Sequence, residues 1–291
     1  MSRLAPSDGV SVIVPAYNEE GAIAAFLDDL LYQLGKLDRP FEVVVVDDGS
    51  TDRTRERADG HGAAVRVVAH ATNRGYGATL KTGLRAARHP VAVIIDADGT
   101  YAPGDIPRLL DAMDDGVEMV VGARTGETAQ IPPLRRPAKW ALRRLAEWLS
   151  DQRIPDLNSG LRAFRRRTAL RYAHLLPNRF SFTSTITLLL LSDGYDVRFL
   201  PVEYRVRVGR SKLRTVDALG FLTLIVRTVT YFSPLRVFLP ASLAFLALTA
   251  VSLAHDVLVL ANLTDASIIL FVATFLTAAI GILADLIVRR R

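Results

Sequence analysis

Short apolar runs alternate with longer segments of helical periodicity between residue 10 and about residue 200. The runs are rich in β-branched residues and apolar at nearly every position: VSVIVP, FEVVVVD, VRVVAH, VAVIID and VEMVVGA. A strand that is apolar on both faces is typical of a parallel sheet covered by helices. The pattern therefore predicts an α/β domain of the doubly wound type, with a mostly parallel sheet, over residues 1–213.

The pattern changes after residue 234, where two long segments are apolar around nearly the whole helical circumference. They are LRVFLPASLAFLALTAVSLA and IILFVATFLTAAIGILADLIV, at about residues 235–254 and 268–288. Each is long enough to cross a hydrocarbon core of roughly 30 Å. Two buried core helices are the alternative, but neither segment has a polar stripe that would face water. Residues 234–291 are therefore predicted to form a transmembrane hairpin.

The distribution of basic residues predicts the orientation of this hairpin. Arg236 stands at the start of the first span, the triplet 289–291 is all arginine, and the connection HDVLVLANLTDAS contains neither lysine nor arginine. The positive-inside rule then places both ends in the cytoplasm. The start, MSRLAPSDGVSV, does not resemble a signal peptide. We expect a multi-pass protein of the inner (plasma) membrane with a cytoplasmic α/β domain.

The segment between the two halves, residues 214–233, has apolar residues near helical spacing, with Arg214 and Arg227 among them. This pattern favours an amphipathic helix lying in the membrane interface. A helix that packs against the α/β domain is the open alternative.

Composition agrees with a chain that lies partly in lipid. Hydrophobic residues make up 50% of the 291 residues, and the mean hydropathy is +0.23, higher than in most soluble enzymes. The net charge of +6 indicates an anionic partner, which includes nucleic acid, a phosphorylated substrate and a membrane surface. The chain has no cysteine, which excludes a disulfide framework and a thiolate zinc site.

Acidic residues follow two of the predicted strands. Asp47 and Asp48 come after FEVVVV, and Asp96 and Asp98 come after VAVII. Ligand sites of open parallel sheets lie beyond the carboxyl ends of the strands, and carboxylates gathered there need a cation or hydroxyl donors between them. Hard oxygen ligands favour Mg²⁺ or Mn²⁺. A helix N-cap is the alternative for Asp48, because DDGSTD is also a turn that enters a helix.

The stretch NRGYGATLKTG has the composition of an anion-binding turn. Gly75 and Gly77 allow close backbone approach at the start of a helix, and Lys81 follows about one turn later. An ordinary glycine turn that opens a helix explains the same pattern.

Seven motifs in this order resemble the inverting family 2 glycosyltransferases of the GT-A fold. They are SVIVPAYNEE (11–20), VVVDDGSTD (44–52), NRGYGATLKTGL (73–84), DADGTY (96–101), GART (122–125), DLNSGLRAF (156–164) and VGRSKL (208–213). Together with a C-terminal membrane hairpin they are most similar to the polyprenyl-phosphate branch, such as dolichyl-phosphate mannose synthases and undecaprenyl-phosphate glucosyltransferases. That resemblance implies transfer of a hexose from a nucleoside-diphosphate sugar to a polyprenyl phosphate, with inversion.

The resemblance also implies roles for residues of the donor site. Nucleotide-sugar binding would involve Pro15, Tyr17, Asn18, Glu19, Asp47, Asp48, Gly75, Lys81 and Asp96. Asp96 and Asp98 would bind Mg²⁺ or Mn²⁺ and the diphosphate. Related synthases often have Gln where this chain has Thr100, so the resemblance does not extend to ligation by that side chain. UDP-glucose and GDP-mannose are the leading donors.

The basic residues near the membrane end of the domain are candidates for binding the acceptor phosphate, because guanidinium groups bind phosphate through forked hydrogen bonds. They are Arg124, Arg135, Arg136, Arg162, Arg207, Arg210 and Lys212. A basic face that attracts anionic lipids in general is the alternative. Some relatives place Ser four residues after an Arg, whereas here Lys139 follows Arg135.

A lipid monophosphate is already largely an anionic nucleophile at neutral pH. It would attack the anomeric carbon in line while a metal stabilises the departing nucleoside diphosphate. Asp156 takes the family position at the reaction centre, as a general base or as an orienting group, and a plain turn aspartate is the alternative.

Other functions predict other features. A processive polysaccharide synthase would carry a Q-x-x-R-W motif and more spans, and a nucleotide dehydrogenase would carry G-x-G-x-x-G after its first strand. A transferase of the same branch with a protein or soluble acceptor would not need the basic cluster beside the first span, and a non-catalytic membrane scaffold would have lost an acid from DAD or DDGS, both of which are intact. Transfer to another membrane-associated acceptor, a glycolipid or polysaccharide precursor, is the alternative function. We expect no nucleic-acid partner, and a homo-oligomer is left open.

Overall fold

The computed structural model describes residues 8–114, 116–125, 144, 147, 154–178, 181–204, 234–260 and 262–289. Several predicted features lie outside these residues. They are Arg135, Arg136, Arg207, Arg210, Lys212, the segment 214–233 and the last two arginines.

Seven strands form one sheet in the order β3-β2-β1-β4-β6-β5-β7. The strands are β1 (Val10–Ala16), β2 (Phe41–Asp47), β3 (Val65–Ala69), β4 (Val91–Ile94), β5 (Val117–Thr125), β6 (Arg162–Arg165) and β7 (Asp196–Glu203). Only β6 runs antiparallel to its neighbours, so the predicted mostly parallel sheet is confirmed.

Strands β6 and β7 were not predicted from the hydrophobic pattern. Strand β6 has only four residues, with arginine at both ends, and β7 contains Asp196, Arg198 and Glu203. Neither is a continuous apolar run, because β6 lies in a short antiparallel insertion and β7 lies at the edge of the sheet.

The helices of the α/β domain are α1 (Ile23–Leu34), α2 (Thr54–Asp59), α3 (Tyr76–Ala86), α4 (Ile106–Asp111), α5 (Arg166–Arg171) and α6 (Phe182–Ser192). They cover both faces of the sheet. In β1, Val12 and Val14 pack in the cluster that contains α1, and Ile13 packs in the cluster that contains α3 and α6. The alternation across one strand explains why every position of that strand except Ser11 is apolar.

Two long apolar helices follow, α7 (Leu235–His255) and α8 (Asp265–Arg289), with a turn of π-helix at Asp256–Leu260. Both are long and apolar enough to cross a membrane. In the most apolar stretch of each helix, only 11% of the residues of α7 and 17% of those of α8 are buried. Helices this exposed are not core helices, which excludes the alternative considered for these segments.

Small polar side chains join α7 to α8 along their contact. Ser242 Oγ donates to the carbonyl of Thr274 at 3.2 Å, and Ser252 Oγ lies 2.7 Å from Ser267 Oγ. At the turn, the Asp256 carboxylate accepts hydrogen bonds from Thr264 and Ser267. Groups of this kind associate helices in lipid, where apolar side chains alone provide little driving force between helices.

Candidate active site

The loops at one edge of the sheet bring the predicted acids together. Strands β1, β2, β4 and β5 are parallel, so the segments that follow them lie at the same edge. Because β6 is antiparallel, the segment that precedes it, residues 156–161, also reaches this edge. A ligand site outside the carboxyl ends of the strands is where open α/β sheets bind their substrates.

The loop after β1 is bonded to the loop after β2. Asn18 has a positive φ of 51°, its backbone N–H donates to Ser50 Oγ at 3.0 Å, and its Oδ1 accepts from the Thr51 N–H at 2.8 Å. The Glu19 N–H donates to Thr54 Oγ1 at 2.7 Å. These bonds join the two loops into one rim, the position predicted for the nucleoside pocket.

Pro15 and Tyr17 occupy different positions on this rim. Pro15 is the sixth residue of β1 and is buried, whereas Tyr17 follows the strand and is partly exposed, as is Glu19. Nucleotide contacts from these residues stay a prediction.

The two acids at the end of β2, Asp47 in the strand and Asp48 directly after it, accept hydrogen bonds from the protein itself. The Asp47 carboxylate accepts from the N–H and the hydroxyl of Ser50. Asp48 Oδ1 accepts from His70 Nδ1 at 2.7 Å and from the Arg74 N–H at 2.9 Å, and Oδ2 accepts from the Gly75 N–H at 2.8 Å. Asp48 is 3% exposed and does not cap α2, which begins at Thr54. It shapes the glycine turn, and its contact with a base or ribose stays a prediction.

The glycine turn leads into α3. Gly75 has a φ of 97°, which favours glycine, and it directly precedes the helix. Lys81 Nζ donates to Asn178 Oδ1 at 2.6 Å, in the loop before α6. Partial burial, together with the charge of Arg85, lowers the pKa of Lys81. The predicted nucleotide contact of Lys81 is not tested by this geometry.

Asp96 and Asp98 lie just beyond β4 and are held by different partners. The Tyr76 hydroxyl donates to Asp96 Oδ1 at 2.9 Å, and Thr100 donates to Asp98 Oδ1 through its hydroxyl at 2.6 Å and its N–H at 3.1 Å. Burial and the charge of Asp96 raise the pKa of Tyr76 well above its usual value, so the phenol stays a donor. Thr100 therefore supports the Asp98 carboxylate by hydrogen bonding.

The pair fits a divalent cation of the Mg²⁺ type. Such ions are commonly held by one or two carboxylates together with substrate phosphates and water. Within the described ranges, no group of three or more His, Cys, Asp or Glu residues gathers at one point. Asp96 and Asp98 would therefore supply two ligands at most, leaving positions for a diphosphate.

Arg124 and Asp156, predicted separately, form a bidentate ion pair. Arg124 Nε donates to Asp156 Oδ2 at 2.6 Å and Nη2 donates to Oδ1 at 2.8 Å. The guanidinium also lies 5.3 Å from the ring centroid of Tyr204. Burial would raise the pKa of Asp156, but the hydrogen bonds and charge of Arg124 outweigh burial and lower it. Asp156 is thus a weak base and is suited to holding the guanidinium in one orientation.

Arg162 does not lie on the acceptor surface. The side chain is fully buried, and its guanidinium donates to the Ser159 carbonyl at 2.7 and 3.1 Å, to the Thr183 carbonyl at 2.9 Å and to Thr187 Oγ1 at 2.9 Å. The prediction that Arg162 grips an acceptor phosphate is wrong, because the antiparallel β6 points this side chain into the core beneath α6.

Sequence reasoning missed several residues that support the acids. Tyr76 contacts Asp96, the Tyr101 hydroxyl accepts from the Gly160 N–H at 2.9 Å, and Tyr204 packs on Tyr101 with centroids 5.2 Å apart. Tyr76 and Tyr101 occur inside motifs quoted above, so their place in NRGYG and DADGTY was a usable signal. Nothing in the local sequence pointed to Tyr204.

This arrangement defines an α/β enzyme with a paired-carboxylate site at a sheet edge and a membrane hairpin. The chain belongs to glycosyl transferase family 2, which it matches over residues 11–172. Residues 233–289 match the family described as GtrB C-terminal hairpin. The chain is therefore a glycosyltransferase, and its hairpin associates it with a membrane.

Curated relatives extend over most of this chain. It is 34% identical to a dolichyl-phosphate hexose transferase of Haloferax volcanii over 207 residues, which cover 71% of this chain and 87% of the relative. It is 30% identical over 234 residues to an undecaprenyl-phosphate 4-deoxy-4-formamido-L-arabinose transferase of Edwardsiella ictaluri. These residues cover 78% of this chain and 69% of the relative.

A solved structure of similar fold is glucosyl-3-phosphoglycerate synthase of Mycobacterium tuberculosis, in complex with Mn²⁺, UDP-glucose and phosphoglyceric acid. The TM-score is 0.58 at 23% identity, covering 76% of this chain and 80% of that one. At this identity the likeness concerns the fold, and it confirms the GT-A prediction.

Proposed function

We propose that this chain transfers a hexose from a nucleoside-diphosphate sugar to a polyprenyl phosphate at the membrane, with inversion at the anomeric carbon. The observation that carries the proposal is the Arg124–Asp156 pair on the rim that also holds Asp96 and Asp98, in a chain with an exposed apolar hairpin. A donor site and a cationic acceptor site on one edge are what transfer between a nucleotide sugar and an anionic lipid requires.

On the donor side, Asp96 and Asp98 would hold Mg²⁺ or Mn²⁺ through their carboxylates. The ion would supply countercharge to the departing diphosphate. The chain's own contribution is to keep both carboxylates in place through Tyr76 and Thr100, and to shape the nucleotide rim through the Asn18, Ser50 and Asp48 contacts. UDP-glucose and GDP-mannose are the proposed donors.

On the acceptor side, Arg124 would bind the lipid phosphate. Its Nε and Nη2 are engaged by Asp156, and a guanidinium has five donors, so donors are left for a phosphate oxygen. Asp156 orients the guanidinium through the two bonds of the pair. Arg135, Arg136, Arg207, Arg210 and Lys212 are proposed to complete the phosphate site.

The nucleophile needs little help from a base. A phosphate monoester is mostly dianionic at neutral pH, and the lowered pKa of Asp156 makes this carboxylate a poor proton acceptor. The chain's role is to place the phosphate oxygen in line with the anomeric carbon and to exclude water, since orientation alone contributes several kcal/mol to such reactions.

The membrane orientation is part of the proposal. The domain and both termini would face the cytoplasm, with the turn near Asn262 on the opposite side. Reporters fused after Arg291 and inserted at Asn262 are expected on opposite faces. Two reporters on the same face would contradict a hairpin that crosses the membrane twice.

The experiment for the reaction uses membranes that contain the full chain, with added polyprenyl phosphate and a panel of labelled UDP- and GDP-sugars. One donor is expected to label a lipid that is released by mild acid, as a sugar on a phosphate monoester would be. Membranes with Asp98→Asn are the matched control. Label that enters only water, as free sugar, or only a non-phosphorylated lipid would contradict the proposed acceptor.

A further inference from the structure

Arg162 is a buried cation, and no ion pair in the described part of the chain accounts for its charge. It is fully buried, and within the described part of the chain its guanidinium contacts only neutral acceptors, three of them oxygens and one the sulfur of Met119 at 3.8 Å. A buried charge without a contacting counter-charge is costly, and an apolar side chain of similar size would fill the space at lower cost. Packing in the core alone therefore does not explain why this residue is an arginine.

The guanidinium binds the backbone segment that touches the site. Two of its nitrogens converge on the Ser159 carbonyl, at 2.7 and 3.1 Å, and Ser159 Oγ donates to the Gly122 carbonyl at 2.6 Å. The next N–H, that of Gly160, donates to the Tyr101 hydroxyl at 2.9 Å. Three groups therefore fix this segment by hydrogen bonds: the Gly122 carbonyl, the Tyr101 hydroxyl and, from the core, the guanidinium of Arg162.

Gly160 in turn lies directly against Asp96. A Cβ at this position would lie 2.0 Å from Asp96 Oδ2 and 2.7 Å from its Cγ, so any larger residue would displace this carboxylate. Any displacement of the Ser159–Gly160 backbone toward the rim would push this carboxylate, and any withdrawal would leave it with more freedom.

The acids that act on the pKa of Arg162 belong to the site. Burial lowers the pKa of Arg162 to about 10, and the charges of Asp156 and Asp96 act against that shift. The side chain therefore stays protonated at neutral pH, and the acids of the site are the charges that favour its protonated form.

We propose that Arg162 is a positioning residue, which acts through Ser159 and Gly160 to hold the Asp96 carboxylate where it meets the metal and the diphosphate. The inference rests on the proposed function for the role of Asp96. The sequence predicted that this arginine, in the NSGLR stretch, contacts the acceptor phosphate. Under the proposal it instead acts beneath the donor site.

The test compares Arg162→Met and Arg162→Lys with Thr187→Val, in the full chain in detergent. Thr187, on α6, accepts a bond from Nη1 of this guanidinium, whereas Nε and Nη2 donate to Ser159, so loss of the Thr187 hydroxyl weakens the core and leaves the bonds to Ser159. The three readouts are thermal melting, kcat with saturating substrates, and the affinity for Mn²⁺ with UDP or GDP, followed by electron paramagnetic resonance.

We expect Arg162→Met to weaken Mn²⁺ binding and kcat by roughly ten- to a hundredfold, the range found for residues that support a metal ligand. Arg162→Lys, which retains the charge and part of the bonding, should lie between Met and wild type. Thr187→Val should lower the melting temperature and leave Mn²⁺ affinity and kcat within about threefold of wild type, as no ligand is displaced.

Two results would overturn the inference. One is a loss of kcat and Mn²⁺ affinity that follows the melting temperature across all three variants, as a purely structural residue would give. The other is tighter Mn²⁺ binding in Arg162→Met, since removal of a nearby cation acts in that direction if position is unchanged. If the wild type binds Mn²⁺ and nucleotide but does not label polyprenyl phosphate, only the proposed acceptor fails, and the Mn²⁺ affinities still decide the role of Arg162.

Discussion

Acids occur on two parts of the same rim, and the structure uses them differently. At the end of β2, Asp47 and Asp48 are 3% exposed, and both oxygens of Asp48 accept hydrogen bonds from protein donors. After β4, Asp96 and Asp98 each accept from the protein at Oδ1, from Tyr76 and Thr100 respectively. The first pair bonds to the glycine turn and to Ser50, and the second pair is the one for which we propose a bound cation.

The difference teaches that an acid at a strand end does not by itself make a ligand site. Asp48 satisfies two backbone N–H groups of the glycine turn, which would otherwise be unpaired near the core. Asp98 accepts from the N–H and the hydroxyl of Thr100, two residues away. Substitutions at the two pairs should therefore separate stability from activity.

The largest effect is expected for Asp98→Asn. Loss of one carboxylate weakens metal and diphosphate binding, so sugar transfer should fall by at least about a hundredfold. The melting temperature of the metal-free chain should hardly change. Asp111→Asn, an exposed acid at the end of α4, is the matched control. Full turnover of the wild type in EDTA would contradict the metal-dependent mechanism.

Asp156→Asn comes next, because it breaks the bidentate pair with Arg124. Acceptor efficiency should fall roughly ten- to a hundredfold, the cost of one or two charge-assisted hydrogen bonds, while donor affinity is retained. Glu203→Gln, an exposed acid of β7, is the control. Acceptor kinetics and calorimetry with the nucleotide separate the two effects.

The same pair predicts a pH dependence and a double-mutant result. Because the folded pKa of Asp156 is lowered, its contribution to stability is present above the usual aspartate value of about 4 and is lost as the pH falls through the folded pKa. The free energy of unfolding of Asp156→Asn should therefore fall less steeply with decreasing pH than that of wild type.

A double mutant tests whether the two residues act as a unit. Adding Arg124→Gln to Asp156→Asn should lower acceptor efficiency little more than either change alone, and full additivity of the two losses would mean that the residues act separately.

Thr100→Val is expected to have a smaller effect, of about tenfold on kcat, since it removes only the hydroxyl that supports Asp98. Thr100→Ser retains the hydroxyl and should behave as wild type. Equal loss in both variants would indicate that the methyl group, and not the hydrogen bond, is what the site needs.

The smallest effect on catalysis, with the largest effect on stability, is expected for Asp48→Asn. The amide nitrogen of Asn would face an N–H donor of the glycine turn or the His70 ring, at a cost of about 2 kcal/mol. Activity at low temperature should stay within a few-fold of wild type, while the melting temperature falls. Asp59→Asn, half-exposed on α2, is the control. A stable variant that no longer binds nucleotide would show that Asp48 contacts the base after all.

Some features of this protein followed from the sequence because they depend on local pattern. Five runs that are apolar on both faces indicated a covered parallel sheet, and the acids after β2 and β4 were placed at its carboxyl edge. Two all-apolar segments indicated a hairpin. These predictions needed only the side-chain period of a strand, the length of a membrane span and the rule for ligand sites in open sheets.

Only the tertiary structure decided what each charged residue touches. The antiparallel β6 reverses the direction of the chain at Arg162, so an arginine that follows a loop of the site lies in the core, and no local signal for this reversal exists in a strand of four residues. Arg124 and Asp156 are 32 residues apart, and their pairing depends on how β5 and the loop before β6 meet. Sequence thus indicated which acids lie at the strand ends, and packing between distant segments determined which charged residues pair, support a carboxylate or lie in the core.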